Sequence, residues 1–400
     1  MTIVSALFAT STAVASLIVP TADVGVIGAG PAGLTLCHAL HAEGYSVRVF
    51  ERRDCFRPVG AAVFMYPMAC NSLRAISPEL ERQLLGAATQ IETLSYNTLG
   101  DAPSFRLDTL GDATRTLGAP FLAIRFWDML CALKLGLPDE CFAFGHQLER
   151  YEQHGGEGEG ESEAGGEGGG ITLHFAEGKP PCRVRFLIDA GGIRSATRKQ
   201  LIGDAPIPRL RATFSLLPAD RVNCQRDSVG GGVPGELGFV TGDNLSVVTM
   251  GLSDGGVMWS ETDFGDAPAD RLFTSEAALR QRLDARYCDA SWPENIRAMA
   301  EATQLGDVVE STVSELPVSW KWGEGDVTLL GDAAHAQLPA LGLGISTALG
   351  DVEELIAQIK RHGLSRRALR RYERGRMPAC AALQLMSRTM WRLSTFAANR

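Results

Sequence analysis

The stretch from Asp23 to Arg53 limits the possible folds more sharply than any other part of the chain. Val24 to Ile27 is a short apolar run of the kind that forms a strand buried on both faces. It breaks at Gly28-Ala29-Gly30-Pro31-Ala32-Gly33, after which Leu34, Leu36, Ala39 and Leu40 follow a helical pattern as far as Gly44. A second strand, Ser46 to Phe50, ends at Glu51 and Arg52. Strand, glycine turn, helix, strand and terminal acid in this register form a dinucleotide-binding βαβ unit. Gly28 permits the tight turn, Gly30 lets the backbone approach a pyrophosphate, and Gly33 lets the helix pack close to the sheet. The free amides and dipole of the helix start favour phosphate there. Glu51, 23 residues after Gly28, is placed to accept hydrogen bonds from an adenosine ribose. The unit alone does not distinguish a nicotinamide dinucleotide from a flavin.

A chain of 400 residues suggests two domains, which can be interleaved. Hydrophobic residues at 45% and charged residues at 21% describe a globular chain with a sizeable core. The net charge of −9 leaves no basic surplus for a nucleic-acid partner. Nine dispersed cysteines without a CxxC pair suggest neither a zinc site nor a disulfide framework. They fit reduced thiols in a reducing compartment, cytoplasmic or organellar.

Residues 1–22 are uncharged and read as a leader, disordered or targeting, too polar for stable membrane insertion. Pro58 to Val63 reads as a loop entering a strand, followed by a helix with Met68, Leu73 and Ile76 that ends near Ser77-Pro78. Gln90–Tyr96 and Phe105–Leu107 suggest short strands, so residues 76–107 contribute in part to a second sheet. Ala123 to Leu130 reads as the start of an amphipathic helix with Met129, Leu130 and Leu133 inward. Residues 154–170 are low-complexity glycine and glutamate, expected to be a disordered loop at a hairpin tip. Residues 206–325 show strand signals at 211–217, 236–240, 246–252 and 257–262 and then two helical stretches.

A second site follows another apolar run, Val327 to Leu330. Gly331-Asp332-Ala333-Ala334-His335 stands at its end, and Pro339-Ala340-Leu341-Gly342-Leu343-Gly344 then opens a helix running through Leu349, Val352, Leu355 and Ile359. Asp332 can accept from a polyol, and the amides near Gly342 to Gly344 can stabilise an anion.

Together these motifs resemble the class A flavoprotein monooxygenases, the para-hydroxybenzoate hydroxylase type, over residues 23 to about 385. The resemblance implies an α/β chain: a Rossmann-type FAD-binding domain, a mainly antiparallel β-sheet substrate domain inserted into it, and a helical C-terminus. The FAD-binding parts would span 23–205 and 326–355, the substrate domain 206–325 and the C-terminal helices 356–400. By resemblance, Gly28, Gly30, Gly33 and Glu51 hold the ADP part of FAD, with Arg52 beside the ribose acid. Asp332 binds the ribityl and pyrophosphate, while Pro339, Gly342 and Gly344 bring a helix start to the flavin pyrimidine edge. Arg125 falls where the family carries an arginine near the cofactor. The implied reaction is reduction of FAD by NADPH or NADH, reaction with O2, and hydroxylation or epoxidation of a small aromatic or apolar compound through a C4a-hydroperoxide. The partners implied are that small organic substrate and O2. The flavin carries the chemistry, so no catalytic base is named.

The family's G-A-D-G motif departs here. Ile188 runs into Asp189-Ala190-Gly191-Gly192-Ile193-Arg194-Ser195, with glycine at 191 where relatives carry aspartate. That motif is associated with both FAD and reduced nicotinamide. A flavin reductase or dehydrogenase, or an impaired FAD-binding protein, therefore stays open beside the oxygenase. Leu343 and Ser346 also depart, at positions that act through backbone amides. His335 is expected to position rather than catalyse. Trp320 and Trp322 are expected to pack in a core or edge, and the arginines between 366 and 376 to form a solvated face paired with acids elsewhere.

Overall fold

The first strand, β1 (Ala22–Ile27), is buried at five of six positions, as its apolar run requires. The computed structural model describes residues 22–58, 60–99, 104–154, 170–225, 231–242, 245–263 and 273–398. The expected leader, apart from its last residue, and all but the ends of the acidic glycine loop lie outside these. Gly28 follows β1 at φ 95°, where a Cβ would stand 2.7 Å from the Ala190 carbonyl oxygen. Helix α1 (Pro31–Ala42) opens with proline at its first position and buries eight residues, and β2 (Val47–Glu51) returns parallel to β1.

Strand β3 (Ala62–Met65) leads into α2 (Pro67–Ile76). α2 ends at its C-cap, Ser77, as expected, and Ser77 then caps a further helix, α3 (Pro78–Ala87), in which Pro78 takes the first-turn place where its missing N–H costs nothing. Then come β4 (Thr89–Ile91), β5 (Thr93–Thr98), β6 (Phe105–Leu107) and α4 (Leu110–Leu117). Strand β7 (Phe121–Arg125) corrects the sequence reading, which began a helix at Ala123. Ala123 pairs with both Phe64 of β3 and Thr89 of β4, and α5 (Phe126–Lys134) starts only at Phe126. Pairing on both edges overrides a local periodicity that suits a helix equally well. Met129, Leu130 and Leu133 are buried, as expected.

Strands β8 (Phe142–Phe144), β9 (Leu148–His154), β10 (Gly170–Phe175) and β11 (Cys182–Asp189) precede helix α6 (Ala196–Ile202). β9 and β10 pair antiparallel, with His154 opposite Gly170. Next are β12 (Ile207–Leu217), β13 (Glu236–Gly242), β14 (Leu245–Gly251), β15 (Val257–Asp263), α7 (Glu276–Tyr287) and α8 (Glu294–Ala302). Strand β16 (Val308–Glu315), unforeseen because five of its eight residues are polar, pairs along β12. Finally come β17 (Gly323–Glu324), β18 (Val327–Leu329), the single turn α9 (Asp332–His335), α10 (Gly344–His362) and α11 (Arg366–Ala398).

An eight-stranded sheet runs β17-β18-β11-β1-β2-β8, with β10 on β11 and β9 on β10. From β18 to β8 its strands are parallel, so their carboxyl ends face one crevice, where ligands bind in such sheets. A seven-stranded, mainly antiparallel sheet runs β16-β12-β15-β14-β13-β5-β6, and β3-β7-β4 form a third. Helices α7 and α8 cover one face of the seven-stranded sheet, packing Leu279, Leu283 and Ile296 with Val240, Val247 and Trp259. No helix among the described residues is long and apolar enough to cross a membrane.

Candidate active site

A cavity of about 1580 Å³ lies between the carboxyl ends of the parallel strands and the uncovered face of the seven-stranded sheet. One pocket for a drug-sized ligand occupies about 300–1,000 Å³, so this space admits two molecules side by side.

Gly28, Gly30, Glu51, Arg52, Asp332, Pro339, Gly342 and Gly344 all line this cavity. A Cβ on Gly30 or Gly344 would meet nothing within 4 Å, so both backbones stand open to a ligand. Gly33 is not in the wall: its place is against the strand, where a Cβ would lie 2.0 Å from the Gly28 carbonyl oxygen. The carboxylate of Glu51 accepts from the amides of Ala29 and Arg53, both at 3.0 Å, and ties the glycine turn to the end of β2. Its oxygens keep further lone pairs for a ribose. Arg125 stands apart from the cofactor residues. Its guanidinium pairs with Asp254 at 2.5 Å, in the turn between β14 and β15, and does not line the cavity.

Asp332 is open to the cavity and makes no hydrogen bond or ion pair with a described residue. Crowding by the surrounding protein raises its carboxyl above the ordinary value, with Asp351 adding to the rise and His335 opposing it. Beneath it, His335 Nε2 lies 2.5 Å from Asp351 Oδ2, and Arg376 Nε donates to Asp351 Oδ1 at 2.7 Å. The Gly331 amide also donates to Asp351, at 3.0 Å, and Trp322 lies against the imidazole with centroids 5.2 Å apart. Burial disfavours the imidazolium, but the Asp351 charge outweighs it and holds His335 well above its usual value. Burial likewise opposes the Asp351 carboxylate, yet His335 and Arg376 keep it below its ordinary value. This buried triad fixes α9 to α10 and α11, and reaches no substrate space. Trp320, by contrast, is 66% exposed and packs in neither core nor edge. Arg366 pairs with Asp326 at 2.8 Å, an acid elsewhere as expected, whereas Arg370 is half-buried and pairs at 2.8 Å with Glu373 of its own helix.

The displaced acid of the middle motif has a defined task. Asp189, fully buried at the end of β11, accepts from the Gly191 amide at 2.6 Å and from the Ser195 hydroxyl at 2.8 Å. It thereby holds the loop whose Gly191, Gly192 and Arg194 line the cavity. Arg198, paired with Asp204 at 2.6 Å, donates to the carbonyls of Ala334 at 2.5 Å and Pro317 at 3.0 Å. The middle loop and the Asp332 turn are thus fastened together. The visible signal was an acid two positions early with Ser195 six residues on.

The opposite wall was not legible as a motif. Along β5, β12, β13, β14 and β15, alternate residues such as Tyr96, Phe214, Phe239, Val248 and Met258 face the cavity. Phe64, Tyr66 and Phe121 form an aromatic cluster with centroids 5.0–6.0 Å apart beside them. Helix α11 completes the wall. Ser387 donates to the Leu338 carbonyl at 2.5 Å, and Trp391, one turn further, lines the cavity with Gln337 and Leu338.

Open glycine backbones, an acid at the end of β2 and an unpartnered carboxylate, all lining the cavity, fit FAD. A family profile described as an NAD(P)-binding Rossmann-like domain matches residues 26–58, and one described as an FAD binding domain matches residues 270–386. The chain is 28% identical to 3-amino-4-hydroxybenzoate 2-monooxygenase of Streptomyces cremeus, over 92% of this chain and 86% of that protein. It is 26% identical to 6-hydroxynicotinate 3-monooxygenase of Pseudomonas fluorescens, over 91% and 90%. Salicylate hydroxylase of Pseudomonas putida is 27% identical over 82% and 75%. Among solved structures, Klebsiella pneumoniae HpxO complexed with FAD and uric acid superposes with a TM-score of 0.77 at 20% identity, covering 93% of this chain and 88% of that one. Motifs, fold and relatives converge: over most of its length the chain is similar to the class A FAD-dependent monooxygenases.

Proposed function

We propose that this protein hydroxylates or epoxidises a small, apolar or aromatic compound, with NADH or NADPH as electron donor. For hydroxylation the balance is substrate, O2, NAD(P)H and one proton to hydroxylated substrate, water and NAD(P)+. FAD, when bound, supplies the two-electron relay between nicotinamide and O2. The glycine turn and Glu51 would hold its adenosine end, and Asp332 and the Gly342–Gly344 backbone its other half. The apolar sheet face would orient the substrate and exclude water.

One observation carries this reading: the nucleotide loops and the apolar sheet face bound a single continuous cavity. A flavin reductase needs no such second chamber. An impaired binder is disfavoured because Asp189 occupies the amide and hydroxyl that organise the middle loop. The relatives above are named for benzoate, nicotinate and salicylate substrates, all aromatic carboxylates. Mixing the yellow protein with NADH or NADPH without O2, then admitting air with candidate aromatics, tests the proposal. The expected result is bleaching of the flavin band and substrate-dependent O2 uptake with an oxygenated product. Bleaching without oxygen transfer for every aromatic tried would favour the reductase.

A further inference from the structure

The pleat of the seven-stranded sheet sorts its side chains by charge. Glu236 and Glu261 sit at positions next in sequence to residues that line the cavity, Leu237 and Ser260, and Arg211 of β12 does not line it; each is paired away from the cavity. Arg211 meets Glu310, Glu236 meets Arg106, and Glu261 meets Arg282 and Arg286. Among the described residues, the acidic, basic and imidazole side chains lining the cavity are Glu51, Arg52, Arg53, His146, Arg194 and Asp332, all on the nucleotide side, while the sheet side adds only the phenols Tyr66 and Tyr96. Arg209 lies over the ring of Trp391 at 5.8 Å. It is held by Glu315 at 2.6 Å and does not line the cavity.

Two neutral polar side chains line the cavity where the loop at Leu338 meets α11. Both amide atoms of Gln337 are buried without a hydrogen-bond partner, as is the indole nitrogen of Trp391, and both residues line the cavity. Buried polar atoms are almost always partnered, so an unpartnered amide and indole beside one apolar chamber point to a ligand that completes them. A carboxylate brought there would lose its hydration with no countercharge, whereas a neutral carbonyl, hydroxyl or amide would gain bonds.

We propose that the cavity selects uncharged aromatic substrates bearing one carbonyl, hydroxyl or carboxamide, oriented by Gln337 with Trp391 as a second donor, and rejects aromatic carboxylates. This rests on the oxygenase reading above. The test titrates the FAD-loaded protein with matched pairs: salicylate and salicylamide, 6-hydroxynicotinate and 6-hydroxynicotinamide, 2-naphthoate and 2-naphthamide. Binding is read from the change in the flavin spectrum. The uncharged partner should bind at least about tenfold more tightly. Gln337→Ala, and Gln337→Met of similar volume, should weaken it about three- to tenfold at unchanged FAD content. Ser246→Arg, which places a cation on the cavity face of β14, should narrow or reverse the preference. Equal or tighter carboxylate binding, no binding by any uncharged member, or wild-type affinity in both Gln337 variants overturns the proposal. A colourless wild-type protein that takes up no FAD overturns the oxygenase reading and this proposal together; a yellow one that prefers carboxylates overturns this proposal alone.

Discussion

The two walls of the cavity are built by different means. The nucleotide wall works mainly through backbone: Gly30 and Gly344 leave amides bare, Gly28 and Gly33 bring chain against chain, and buried ions lock the turns. The sheet wall works through side chains, taking alternate residues from five strands and one end of α11. The first kind of wall admits no added atom where chain meets chain, at Gly28 and Gly33. The second can change its occupants by one substitution at a time, which is how one cofactor site can serve many substrates.

Breaking the buried triad should give the largest effect on the nucleotide wall. Asp351→Asn leaves His335 and Arg376 without their shared carboxylate and should cost about 3–5 kcal/mol. Denaturant midpoints and FAD retention measure it. The same pair sets a pH signature. Because His335 is raised in the folded state, its contribution is fully present below the unfolded histidine value of about 6.5 and is lost as pH climbs through the folded value. Wild-type stability should therefore fall on the alkaline side, and Asp351→Asn should flatten that fall.

Gly33→Val comes next, at about 3 kcal/mol, since its Cβ would enter the Gly28 carbonyl. Here the backbone itself must move, so FAD content should drop with stability. A variant that keeps both would dissolve the contrast between the walls. Gly191→Asp should be milder but harmful, about 1–2 kcal/mol, because its Cβ would lie 2.8 Å from Asp189 Oδ1 and bring a second carboxylate to one loop. Combining it with Asp189→Gly should recover most of the loss in melting temperature. Equal damage in single and double variants would mean that the two acids are not alternatives.

Arg125→Ala should do least. Its partly exposed pair with Asp254 is worth about 0–1 kcal/mol, and FAD content should not change. A loss of bound FAD would return Arg125 to the cofactor site.

Sequence reading reached the nucleotide wall because its determinants are contiguous: a glycine turn, the acid ending the next strand, and a carboxylate at a strand end before a helix. The middle motif was half legible. Asp189 could be seen as misplaced, but its bonds to Gly191 and Ser195 depend on where β11 stops. β7 was misread because the run from Ala123 to Leu130 satisfies helical spacing, and only its partners on both edges decide the matter. Gln337 lies between two recognised motifs, and nothing local marks its amide as unpartnered. The sheet wall draws on residues 94 to 262, so no window of sequence contains it.

Trp391 sits one turn beyond the serine that laces α11 to the loop at Leu338. The chamber is consequently unfinished until α11 has been made and laid against that loop. A stop codon near residue 384 would spare every glycine turn while opening the substrate compartment to bulk water. Such a shortened protein should still be yellow, and its reduced flavin should spill electrons to oxygen as peroxide instead of product.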